Sequence, residues 1–128
     1  EPHKDPRPVS IIGLDHVLLA MPAGREDAAR AFYHGLLGLQ EKKKPAEIAD
    51  HGGVWFETDK VKLHLGIEKD FRPARKAHPG LLVKNLQGMI LRMRAAGQIT
   101  GPDDILDGRL RVFVDDPFGN RLELIDHG

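Results

Sequence analysis

The chain contains no cysteine, so disulfides, zinc–thiolate centres and thiol nucleophiles are all excluded. It has no net charge either, since 19 basic residues balance 19 acidic ones. The long-range field is therefore weak, which argues against a nucleic-acid or membrane-surface partner. No apolar run approaches the roughly 18 residues of a membrane span, and no apolar segment follows a basic leader. A cytoplasmic location is the expectation. Residue 1 is Glu rather than Met, which reads as a trimmed start, and the proline-rich, charged stretch 1–8 reads as an extended arm.

What the chain does have is a repeated plan. Its 128 residues suffice for one domain with a core but not for two independent ones, and 41% hydrophobic with 30% charged residues is a folded composition. Gly13 to Ala20 (GLDHVLLA) sets a histidine, His16, at the head of an apolar strand-like run. Ala77 to Leu86 (AHPGLLVKNL) repeats the order with His78. Each unit closes on a short strand with a basic, an apolar and a ligand-type residue: Lys62, Leu63, His64, then Arg121, Leu122, Glu123. A repeat of roughly 60 residues is the result, and its halves are expected to form one fold. Module one is placed at about 11–67, a charged linker at about 68–76 and module two at about 77–126.

Along the chain, 13–19 reads as a first strand and the stripe Ala28, Ala29, Phe32, Leu36 as a helix from about residue 25, interrupted by Gly35 and stopped at Gly38. Residues 39–44 suit a short exposed strand, and 45–52 a loop. Val54–Glu57 and 61–66 suit a hairpin turning at Thr58–Lys60. In that hairpin Lys62 and His64 point away from Val61, Leu63 and Leu65, and Trp55 and Phe56 point to opposite faces, so one lines a site and the other packs the core. In the second unit Asn85 caps a helix carrying Leu86, Met89, Ile90 and Met93, with Gly97 as its stop. Residues 101–108 read as an acidic loop, 110–114 and 121–125 as strands, and DDPFGN between them as a tight turn. Each half is thus strand, helix and three strands.

His16, His64, His78 and Glu123 hold matching points of this plan, on strands that would fix their directions. Imidazoles with a carboxylate make a nitrogen and oxygen donor set suited to Zn, Fe, Ni, Co or Mn. The competing reading leaves the histidines half-buried and bonded to backbone. His34 and His51 are read as surface residues, and His3 and His127 as terminal.

Four stretches carry a family resemblance: GLDHV at 13–17, FY through LLGL at 32–39, His78 ahead of LLVKNL, and DPFGNRLE at 116–123. With them the chain, over about residues 11 to 126, resembles the vicinal oxygen chelate superfamily of glyoxalase I, fosfomycin-resistance proteins, extradiol dioxygenases and bleomycin-binding proteins. The resemblance implies an α+β fold: two βαβββ modules forming a curled sheet around a cavity, commonly completed by a homodimer, swapped or unswapped. It also implies one divalent metal ion on His16, His64, His78 and Glu123. The glyoxalase pattern commonly has a glutamate at the position of His64, and the dioxygenase and fosfomycin patterns use only the other three. Glu57 is a weaker alternative ligand.

The implied activity is that of a metal-dependent, glyoxalase-like lyase, isomerase or transferase acting on a small oxygen-rich, anionic substrate that chelates the metal. Glu123 and Glu57 are its catalytic acid–base candidates, and Lys62, Arg121 and Trp55 its substrate-binding ones. The alternative is a metal-free small-molecule binding or drug-sequestering protein of the bleomycin resistance type.

Overall fold

Alternation of apolar and polar residues along Val54–Glu57 and Lys62–Ile67 gives each strand one buried face, and the two pair antiparallel as β3 and β4. The computed structural model describes residues 4–128; Glu1, Pro2 and His3 of the expected arm lie outside the described residues. Ahead of the hairpin come β1 (Val17–Met21), α1 (Glu26–Ala29), which runs on as a π-helical segment (Arg30–Leu36), and β2 (Gln40–Lys42). A short 3₁₀ turn, Ala46–Ile48, precedes β3. The second half has β5 (Gly80–Val83), α2 (Leu86–Ala95), β6 (Asp104–Leu106), β7 (Arg109–Asp115) and β8 (Arg121–Asp126).

The two halves share one topology. The strand orders are β1-β4-β3-β2 and β5-β8-β7-β6. In each sheet the first strand runs parallel to the last one of its half, and the others pair antiparallel. Register makes the repeat exact at the outer face. His64 lies between Leu18 and Trp55, and Glu123 lies between Gly80 and Phe113. His64 therefore corresponds to Glu123, Trp55 to Phe113 and Lys62 to Arg121.

One continuous core fills the helix side of both sheets. Met21, Val54, Phe56, Leu63 and Leu65 of the first sheet meet Ala29, Phe32 and Tyr33 of the helix, while Val112, Val114, Leu122 and Leu124 of the second meet Leu86, Ile90 and Met93 of α2. The wide π-helical turn lets the consecutive Phe32 and Tyr33 both turn inward. Asn85 does cap α2, with a left-handed backbone and its side chain accepting from the Gly88 amide at 3.1 Å. Asp126 on β8 adds a second cap by accepting from the Leu86 amide at 2.9 Å. Glycine ends both helical regions in the left-handed region, at Gly38 (φ 78°) and Gly97 (φ 82°), as the C-terminal stop requires.

The halves are fastened by the DPFGN turn. The buried Asp116 accepts from Tyr33 Oη at 2.7 Å through Oδ2 and from the Phe118 and Asn120 amides at 2.9 and 2.8 Å through Oδ1. Asn120 Nδ2 donates to the Ala20 carbonyl of β1 at 2.8 Å. Arg92 of α2 adds a bond to the Leu36 carbonyl at 3.0 Å.

Three expectations need correction. The sheets are not curled around a closed cavity: they are two separate four-stranded mixed sheets, each ending in an open edge strand, and among the described residues no ladder joins them. Their apolar faces are satisfied by the shared helical core, so nothing drives closure on the outer side. The acidic loop at 101–108 contains β6, a fully exposed edge strand paired to β7. The first strand starts at Val17 rather than residue 13, because β4 offers partners only from Leu63 onward.

Candidate functional site

The outer faces of the sheets carry the side chains that the core does not use. On the first sheet, Phe56 turns to the core and Trp55 outward, which settles the choice between them. The Trp55 ring lies 3.7 Å from the His64 ring at an interplanar angle of 3°, and His16 stacks on the other side of His64 at 4.7 Å and 18°. His64 is buried in this sandwich, and its Nε2 donates to Glu57 Oε2 at 2.8 Å. The second Glu57 oxygen meets Lys42 Nζ at 3.3 Å. The bond from His64 is the main reason that the Glu57 carboxyl sits below its ordinary pKa, with Lys42 assisting against a desolvation cost.

At the rim of this face Asp15 Oδ2 accepts from His16 Nδ1 at 2.9 Å and Asp15 Oδ1 lies 3.9 Å from Lys62 Nζ. The His16 bond, then Lys62, holds the Asp15 carboxyl low.

The second sheet presents a parallel but distinct arrangement. His78 Nε2 lies 3.0 Å from Glu123 Oε1, and His78 Nδ1 lies 2.8 Å from the Lys76 carbonyl oxygen. Glu123 Oε2 accepts from Arg111 Nη1 at 3.0 Å, and Arg111 Nε reaches Asp104 Oδ2 at 2.8 Å. His78 first and Arg111 second keep the Glu123 carboxyl below its usual range. Phe113 lies under two guanidiniums, Arg121 at 4.2 Å and Arg111 at 5.1 Å from the ring centre, with His78 edge-on at 5.4 Å. Arg111 is committed to carboxylates. Arg121 makes no ion pair among the described residues and is held by the ring face alone, a cation–π contact.

Between the two faces runs an open groove of about 580 Å³. Val17, Leu19 and Ala20 of β1 form one wall, and His78, Pro79 and Arg121 belong to the other. That volume is in the range of small-molecule sites. Another groove of about 620 Å³ lies by Glu26, Glu41 and the lysines 42–44, but its Arg30 is bound to Glu41 and Asp27 and its Lys42 to Glu57. The guanidinium of Arg121, held in place on the Phe113 ring, makes the first groove the better candidate.

The expected metal centre does not form within the chain. Among the described residues no group of three or more His, Asp or Glu side chains could hold an ion. The reason is a division of the four expected ligands: His16 and His64 belong to the first sheet and His78 and Glu123 to the second. Equivalent places in a duplicated plan are separate places in space. The second pair is also already satisfied, since both His78 nitrogens face protein acceptors and both Glu123 oxygens face donors. The divalent-metal cofactor, whether Zn, Fe, Ni, Co or Mn, is therefore withdrawn, and with it the metal-dependent lyase, isomerase or transferase activity. Sequence reasoning also passed over Arg111 and Phe113, although strict alternation with Val112 and Val114 put both on the outer face.

Comparison with known proteins accounts for this architecture. A family model described as the Glyoxalase/Bleomycin resistance protein/Dioxygenase superfamily matches residues 13–124. A glyoxalase family protein from Bacillus anthracis is similar at 36% identity and a TM-score of 0.88, over 95% of this chain and 100% of that one. A lactoylglutathione lyase from Agrobacterium tumefaciens (22% identity, TM-score 0.65, 94% and 96% covered) and a genomically encoded fosfomycin resistance protein from Listeria monocytogenes (14%, 0.73, 93% and 96%) share the fold. No curated protein matches. The duplicated sheets, the DPFGN turn and the family match together show that the chain belongs to the glyoxalase/bleomycin resistance/dioxygenase superfamily.

Proposed function

We propose that this protein binds and sequesters a small molecule without a metal ion, in the manner of the superfamily's bleomycin resistance branch. One observation carries the reading: an open groove with apolar walls bears two guanidiniums, Arg72 and Arg121, that make no ion pair among the described residues, and Arg121 is fixed on Phe113 at its edge. Such a site suits a ligand with a flat apolar body and one anionic group, because a charge-assisted bond to a cation already held in place loses little rotamer entropy. Leu19 and Ala20 of β1 and Pro79 are the apolar surfaces for the ligand body. Glu57 and Glu123 act as anchors that hold His64 and His78 in orientation. The chain works as a homodimer.

The test is calorimetric titration of chelator-treated protein with naphthoate, phenylphosphonate and the neutral naphthamide, followed by recovery of the ligand. Expected is saturable binding of an anion, recovered chemically unchanged, and a loss of about tenfold in its affinity in R121A, or about 1.4 kcal/mol. Naphthamide binding should not change in that variant. Equal losses for anion and amide would remove Arg121 from the site. Binding that appears only on adding a divalent ion, or turnover of the ligand, would overturn the proposal.

A further inference from the structure

The duplicated plan makes two junctions between the halves. The register that equates Lys62 with Arg121 also equates Val61 with Asn120, Leu81 with Leu19 and Leu82 with Ala20. The groove beside Arg121 lies where β1 meets Asn120. Its counterpart lies where β5 meets Val61, as a second cleft of about 220 Å³.

The two junctions differ in chemistry. At the first, Asn120 Nδ2 donates to the Ala20 carbonyl at 2.8 Å and ties β1 to the second half. Val61 has no side-chain donor to offer, so that tie is missing at the second junction and the cleft stays open. Leu37, Leu39 and Val61 of the first half line it together with Leu81, Met89 and Leu124 of the second. All of these except the buried Leu124 are partly exposed margins of the core. Val61 is held in place by the hairpin turn, its carbonyl accepting from the Thr58 amide at 2.8 Å. Thr58 and Lys84 supply the only polar side chains of the lining, which contains no carboxylate. Lys42 and Lys62 lie against Glu57 and Asp15, whereas Lys84 makes no ion pair among the described residues.

An aliphatic cleft with one uncommitted ammonium suits a small aliphatic anion, whose tail displaces water from the walls while its head meets a point charge. The cleft is smaller than the roughly 300 Å³ at which sites for drug-sized ligands begin, which limits the tail to about six to eight carbons. We infer that this cleft is a second ligand site, separate from the Arg121 groove, for a medium-chain aliphatic carboxylate paired with Lys84. Its walls come from both halves, so the bound chain bridges the junction that Asn120 does not serve.

Calorimetric titration of the full chain with octanoate and with neutral 1-octanol tests this. Expected is one saturable octanoate site per chain, weakened at least tenfold in K84E, with octanol binding unchanged in that variant. V61W fills the cleft from a partly exposed position and should abolish binding of both compounds, while R121A should bind octanoate like the parent. Lys84 is exposed, so K84E keeps the parent's circular dichroism whatever V61W does to the fold. Octanoate binding lost in R121A but kept in a folded V61W would place the ligand in the other groove and overturn the inference. Equal losses of octanoate and octanol in K84E, or no saturable binding by the parent, would overturn it as well. So would a parent that binds no octanoate and is a dimer dissociated by L82D in sedimentation, because a second copy would then cover the cleft.

Discussion

Tyr33 and Asp116 lie 83 positions apart in the sequence and 2.7 Å apart in the fold, joined by a buried hydrogen bond between the helical segment of the first half and the turn before β8. Burial, followed by the neighbouring Asp116 charge, pushes the Tyr33 phenol far above its ordinary pKa, so it remains a donor at any pH the fold survives. The bond links the two halves where their sheets do not.

Removing that donor leaves a buried carboxylate one partner short. Y33F should lower unfolding free energy by about 1–3 kcal/mol, the usual cost of a buried polar group deprived of its partner. N120A, which loses bonds to both Asp116 and the Ala20 carbonyl, should fall in the same range. Urea unfolding monitored by far-ultraviolet dichroism provides the measurement. A midpoint equal to the parent's in both variants would mean that the turn does not fasten the halves.

Acid stability follows from the two anchoring glutamates. Both carboxyls are held below their ordinary range, Glu57 chiefly by His64 and Glu123 chiefly by His78. A depressed folded-state pKa means stabilisation that is complete above the unfolded value of about 4.3 and is lost as pH falls through the lower folded one. Unfolding free energy should therefore decline on acidification below about pH 5, and E57Q/E123Q should flatten that part of the curve. Parallel profiles for parent and variant across this window would refute the assignment.

The ring stack can be read optically, because Trp55 is the only tryptophan. H64A replaces a ring plane 3.7 Å from the indole with water, so emission should shift to longer wavelength and acrylamide quenching should rise. Identical spectra for parent and H64A would show that the indole does not rest on His64.

Local signals and distant ones were not equally legible in the sequence. Period-two alternation was enough to locate the β3–β4 hairpin and to send Lys62 and His64 to one face, because that property belongs to the strand itself. The Asn85 cap and the Gly38 and Gly97 stops are likewise local. β6 was hidden because all three of its residues are exposed and carry no apolar alternation. The error about the metal has a different origin. Sequence equivalence of His16 with His78, and of His64 with Glu123, is real at the level of register, but convergence needs the sheets' relative placement. That placement is set by Tyr33, Asp116 and Asn120, whose pairing leaves no periodic trace.

Fastening from the helix side has an evolutionary consequence. Trp55, Phe113, Lys62 and Arg121 project from ladders whose registers are held from behind, so exchanging any of them leaves the frame's supports intact. Selection can rewrite the ligand preference of such a surface one substitution at a time, without first having to accumulate compensating changes in the interior.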